Sequence, residues 1–186
     1  MYAGLEEWPE PPVNGDEAAT LTGSLDRQRA TFAWKAAGLG LEDLRATVGA
    51  SSLSLGGLLK HLALVENYYF SVRLFDRAPM SPFKEVDWEA APDWDWSVLP
   101  EDTPDALYDL WQRSVDQSRK NVAQALDNGG LDQVMMQGWP DGRSPSLRRT
   151  LVDLIEEYAR HVGHADLIRE SIDGLVGEDP PGIHDD

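Results

Sequence analysis

The sequence predicts an all-α fold, an up-down four-helix bundle with two long loops. Three observations predict it. Four segments of roughly 20–28 residues carry apolar side chains at helical spacing. Each is bracketed by capping or breaking residues. Between them nothing reads as strand beyond a faint candidate at Val134–Met136. At 186 residues the chain has room for one domain of ordinary size. Its 41% hydrophobic and 26% charged residues are those of a globular protein.

The first helix is expected from about Asp16 to Ala37, with Leu21, Leu25, Phe32 and Trp34 inward and Gly38 and Gly40 ending it. A short turn follows at Leu41–Leu44. The second helix runs from Ser54, a good N-cap, to Asp76, and Leu58, Leu62, Val65 and Tyr69 form its stripe. Thr103-Pro104 announces the third, since proline is pre-set for the first helical position. Leu107, Leu110, Trp111, Val115, Val122 and Ala125 line it, and Asn128-Gly129-Gly130 stops it. The fourth spans Ser146 to Asp173, lined by Leu147, Leu151, Leu154, Tyr158, Ala165, Ile168 and Ile172, with Gly174 as the stop. Residues 1–15 and 176–186, rich in proline and acids, are expected as tails crossing the surface, leaving 16–175 as the bundle.

Composition removes several functions. With 16 basic against 33 acidic residues the net charge is −17. Such a charge repels phosphate backbones and anionic lipid, so no nucleic acid and no membrane is expected as a partner. Cysteine is absent, which excludes disulfides, thiolate metal sites and cysteine nucleophiles. No apolar run reaches the ~18 residues of a membrane span. Met1–Asp16 contains no basic residue and no apolar stretch, so no signal peptide is read and the expected location is the cytoplasm.

Two connections exceed plain turns. Residues 77–102 hold Trp88, Trp94, Trp96 and seven acids, and residues 129–145 hold Met135, Met136 and Trp139. Loops of this length in a compact domain are often functional lids. They either pack over one end of the bundle or wall a substrate pocket.

Three of the four histidines, His61, His161 and His164, fall within expected helices, while His184 lies in the acidic tail. Glu157 and His161 are one turn apart, offset by about 40°, and with His164 they occupy an arc of about 60°. Tyr158, Ala165 and Leu154 border that arc, so it turns inward. His61 edges the apolar stripe of the second helix. An inward His61 facing Glu157 and His161 would offer two imidazoles and a carboxylate, a donor set for Zn²⁺, Ni²⁺ or Fe²⁺ with a position left for water or substrate. The plainer reading is a hydrogen-bonded core histidine and an i, i+4 ion pair. Spacing alone leaves both open.

The stretch Gly56-Gly57-Leu58-Leu59-Lys60-His61-Leu62-Ala63-Leu64-Val65-Glu66 resembles the second-helix signature of the DinB-like superfamily. Glu157-Tyr158-Ala159-Arg160-His161-Val162-Gly163-His164-Ala165-Asp166-Leu167-Ile168-Arg169-Glu170 resembles its last-helix signature. The likeness covers about residues 16 to 175 and is closest to an actinobacterial subgroup near the mycothiol-dependent maleylpyruvate isomerases. It implies a bundle holding a divalent metal through His61, Glu157 and His161. Many relatives have three histidines; here the first position of the last-helix pair is Glu157, as in the isomerase branch. His164 falls where relatives carry glutamine, so it is expected behind the ligands or as an occasional fourth. The resemblance further implies zinc or nickel, the thiol mycothiol as cofactor, a small-molecule thiol and an electrophile as partners, and a homodimer.

The expected function is therefore a thiol-dependent transferase in which the metal activates the cofactor thiolate. A metal-dependent hydrolase, with Glu66 or Asp166 as general base, is an alternative, and so is a non-catalytic metal-binding or structural bundle. Gly56-Gly57 is not a phosphate loop and reads as close packing or a loose helix start. Asp93-Trp94-Asp95-Trp96 reads as a packed loop or a carbohydrate or cation site. Arg73, Arg148, Arg149 and Arg169 are candidates for a substrate carboxylate or plain surface cations.

Overall fold

The computed structural model describes residues 8–181. Among them five α-helices form the fold: α1 (Glu17–Ala36), α2 (Leu41–Arg45), α3 (Leu55–Asn67), α4 (Pro104–Gly129) and α5 (Leu147–Asp173). α3 continues without a break into a π-helical turn, Tyr68–Arg73. The all-α bundle stands as expected, with α2 in place of the short turn at Leu41–Leu44. Val134, the faint strand candidate, makes only an isolated antiparallel bridge to Ser146.

The capping residues act as their chemistry predicts. The side chains of Asp16, Ser54, Thr103 and Ser146 each accept a hydrogen bond from a backbone N–H in the first turn of α1, α3, α4 and α5. Gly174 ends α5 in the left-handed conformation, at φ 79°.

Residue pairs set the helix directions. Arg148 meets Glu17 at 2.7 Å and Lys35 meets Asp166 at 2.8 Å, so α1 and α5 run parallel. Ser118 donates to the Glu66 carbonyl and Asn121 to that of Phe70, while Leu107 lies beside Gly56. α3 and α4 are therefore parallel too. Val65 and Tyr69 share a cavity with Asp153 and Leu154, whereas His61 meets Glu157, so α3 and α5 are antiparallel. The expected up-down order is thus refined to up-down-down-up. The connection from α3 to α4 travels the length of the bundle, instead of capping one end as the packed-loop expectation had it. Loop length alone carries no sign of direction, and bundles accept such crossovers.

The apolar stripes meet in one core that includes Leu25, Phe32, Leu58, Leu62, Leu151 and Tyr158. Phe32 sits edge-on between Trp111, at 5.7 Å, and Tyr158, at 6.3 Å. Inside the core lies a polar network. Arg29 of α1 grips both carboxylate oxygens of Glu66 of α3, each at 2.7 Å. Tyr158 of α5 donates to Glu66 at 2.8 Å, and Trp111 of α4 donates to the Tyr158 hydroxyl at 3.0 Å. All four groups are buried. Burial disfavours the phenolate, and the negative charge of Glu66 adds to it, so Tyr158 stays a hydroxyl donor.

The described part of the segment before α1 packs against the helix through one buried residue. Trp8 is buried, and Arg27 stacks over it while pairing with Glu10. Arg27 also pairs with Asp179, so the two ends of the described chain meet there. His184 lies outside the described residues.

Replacing Arg29 with Met strands the Glu66 carboxylate in the core. An uncompensated buried charge of this kind costs about 3–5 kcal/mol. Urea unfolding should show that loss for Arg29→Met and a smaller one when Glu66→Gln is added. Equal stability of the wild type and Arg29→Met would contradict the network's role.

Candidate metal centre

His61, Glu157 and His161 converge. Each offers one ligand atom, and the three atoms lie within 4.8 Å of one another, one such candidate metal-binding group being found among the described residues. The Nε2 atoms of His61 and His161 both address Glu157 Oε1, at 3.0 and 3.2 Å. α3 supplies one imidazole, and two successive turns of α5 supply the carboxylate and the other. The expected spacing therefore brings these three residues together across the antiparallel pair.

The donor set fits a divalent cation. Two imidazole nitrogens and a carboxylate oxygen are the ligands of many three-residue sites, and a small ion could replace the protons that now join them. Hydrogen bonds from His161 and then His61 hold the Glu157 carboxyl well below the usual carboxylate range, so it is available as an anion. Burial disfavours the His61 imidazolium, but the bonds to Asp95 and Glu157 outweigh it and raise the pKa.

The second nitrogen of His61 is held by a residue outside the expected set. Asp95 Oδ2 lies 2.8 Å from Nδ1, and Asp95 is buried. A carboxylate behind a ligating imidazole fixes its tautomer and orientation, leaving Nε2 free to bind. Trp96 covers the same ring, stacked at 3.8 Å. Both come from a 3-10 turn, Trp94–Trp96, in the long crossover. The sequence carried an acid between two tryptophans here, but that pattern favoured ordinary packing over a cation site.

Two features pin that turn to α3. A methyl group at Gly57 would come within 2.5 Å of the Trp96 carbonyl oxygen, so only glycine admits this approach. The Gly56-Gly57 pair thus serves close packing. Lys60, one residue before His61, is buried and donates to the Ser97 carbonyl at 2.8 Å, its ammonium 3.7 Å from the Trp94 ring. Burial lowers its pKa, with the nearby Asp102 acting against that.

His164 stands behind the three, its Nδ1 3.3 Å from that of His161. Burial lowers its pKa, and the charges of His161 and Arg160 add to this. The two carboxylates considered as general bases are engaged elsewhere, Glu66 in the core network and Asp166 with Lys35. The arginines considered for a substrate carboxylate are occupied too. Arg148 pairs with Glu17, Arg149 with Asp153 and Arg169 with Asp173, and Arg73 donates to the Gln137 carbonyl. Arg160, which the spacing did not single out, is the cation that lines the cavity beside His61 and Glu157. That cavity holds about 410 Å³ and is open to solvent, with Val65, Tyr69 and Leu154 as its apolar side.

Such a bundle, with a histidine-carboxylate triad on the wall of an open cavity, defines a class of helical proteins with a candidate metal centre. The chain belongs to the mycothiol S-transferase family, a DinB-like family whose sequence model matches residues 20–174. A crystal structure of a conserved protein from Enterococcus faecalis is similar with a TM-score of 0.59 at 20% identity, covering 83% of this chain and 96% of that one. At that identity the likeness shows the fold. No curated protein matches.

Asp95→Asn should weaken zinc affinity by about 10–100-fold with the helical signal unchanged, measured by competition with a chromophoric chelator. Undiminished affinity would remove Asp95 from the site. Imidazoles ligate as neutral rings, and the charged form of His61 is favoured here. Protons therefore compete increasingly as the pH falls, and zinc affinity should drop from about pH 8 to about pH 6. A flat profile over that range would speak against His61 as a ligand.

Proposed function

We propose that this protein is a divalent-metal-dependent transferase that joins mycothiol to an electrophile, with zinc or nickel held by His61, Glu157 and His161. The observation that carries the proposal is the convergence of three ligand atoms within 4.8 Å at the wall of an open cavity. Family membership supports the choice of thiol.

A free thiol has a pKa of about 8.5 and is mostly protonated at neutral pH. A divalent ion bound at the triad would supply the missing acidity by favouring the thiolate. The chain's own residues do the rest. Asp95 holds His61 in one tautomer, and Trp96 keeps water from one face of that ring. Glu157 remains ionised and offsets part of the cation's charge. Val65, Tyr69 and Leu154 form a drier side of the cavity, against which a nucleophile is less solvated. Arg160 offers a guanidinium at the same cavity for an oxygen-rich or anionic part of a ligand. The absence of cysteine is consistent with a sulfur that arrives with the cofactor.

The hydrolase alternative loses the two general bases considered for it, since Glu66 and Asp166 are both tied into ion pairs. Among the described residues, no helix is long and apolar enough to cross a membrane.

Purified protein should contain about one equivalent of zinc or nickel per chain, and His61→Ala or Glu157→Gln should lower that content at least about tenfold. Turnover of an electrophile should require added mycothiol and be lost on chelation. Turnover without any thiol would replace the transferase reading, and a His61→Ala protein with full metal content would refute the ligand assignment.

A further inference from the structure

The face of α3 that carries His61 continues into a second cavity. It holds about 410 Å³, within the range of small-molecule sites, and Val65, Tyr68, Tyr69, Val72, Phe83 and Trp88 line it. Val65 and Tyr69 also wall the cavity at the triad, so the two spaces share a partition of two side chains on successive turns after His61. Tyr68, Tyr69 and Val72 all belong to the π-helical turn Tyr68–Arg73, and all reach this one cavity.

The crossover closes the other side of this cavity, and the same crossover holds His61. Phe83 and Trp88 stand edge-on to Trp94, at 6.1 and 6.2 Å, and the next two residues, Asp95 and Trp96, hold His61. Two large aromatics at this cavity stay open to solvent, Tyr68 at 45% and Trp88 at 37%. In a chain of net charge −17, an aromatic-walled cavity with no acidic or basic side chain in its lining selects an uncharged, apolar guest.

We propose that this cavity is the acceptor site: it binds the apolar, aromatic part of the electrophile and directs its reactive carbon over Val65 and Tyr69 toward the sulfur at the triad. The inference rests on the transferase reading above and adds the substrate class, a small aryl-bearing alkyl electrophile. For an alkyl halide the step is a displacement. The sulfur forms a bond to the terminal carbon as the carbon–halogen bond breaks, halide leaves with the bonding pair, and the proton lost from the thiol passes to solvent.

The test has two arms. In the first, 3-(4-fluorophenyl)-1-propanol, which cannot react, is titrated into the protein and followed by fluorine NMR. The site predicts saturable binding that is independent of added metal and weakened at least about tenfold by Val72→Trp, which fills the cavity, and by Trp88→Ala, which removes a wall. In the second, bromide release with mycothiol is compared for 3-phenylpropyl bromide and 1-bromopropane, which share the same reacting carbon environment. Burying the phenyl ring predicts a kcat/KM ratio of about thirtyfold. Val72→Trp should bring the ratio to about threefold while turnover of 1-bromopropane persists. Probe binding or a phenyl preference that survives both variants overturns the acceptor site and leaves the transferase reading standing. Probe binding lost in both variants without bromide release from either halide overturns the transferase reading, and with it the acceptor role. Loss of self-association in the variants, with no probe binding by the wild type, assigns the cavity to a second copy of the chain and overturns the proposal.

Discussion

The carboxylate of Glu66 holds the bundle in register. It is buried, and a buried carboxylate is tolerable only with its oxygens fully engaged. Arg29, Tyr158 and, through Tyr158, Trp111 engage it, so one charge ties together four helices. Apolar stripes alone would let helices slide by a turn at modest loss. A slip of one turn, about 5.4 Å, would break this network outright. Glu66 lies five positions after His61, and Tyr158 directly follows Glu157. The bond that fixes α3 against α5 therefore also brings His61 opposite Glu157 and His161. Structure and candidate chemistry depend on the same contact.

A second constraint acts from outside the bundle. The crossover must return from the end of α3 to the start of α4, and it does so pressed on α3. Gly57 admits its backbone, Lys60 grips it from below, and Asp95 and Trp96 are delivered to His61 as a result. The same passage leaves Phe83 and Trp88 against the π-helical turn. A loop that looks irregular in sequence thus supports the His61 imidazole with one stretch and walls the apolar cavity with another. Acidic partners engage Arg148, Arg149 and Arg169, and Arg160 is left facing the cavity.

Much of this was legible in the residues. Periodicity gave the helices, and side-chain chemistry gave their ends, because Asp16, Ser54, Thr103 and Ser146 satisfy N–H groups that any helix leaves open. The i, i+4 spacing of Glu157 and His161 placed both on one face before any partner was known. The reach of His61 to them was legible only through resemblance, since no local pattern states which helices become neighbours. Glu66 shows the limit most clearly. As a lone acid near a histidine it reads as a general base, and only its contacts reveal a structural anion.

The sequence by itself determined the all-α class, the helix boundaries and the faces on which His61, Glu157 and His161 lie, because these follow from interactions a few residues apart. Tertiary structure decided the parallel course of α3 and α4, the arrival of Asp95 and Trp96 at His61, and the pairing that occupies Arg148, Arg149 and Arg169 and leaves Arg160 at the cavity. Those outcomes depend on contacts between residues tens of positions apart, where packing and charge neutralisation select among arrangements that local spacing treats as equal.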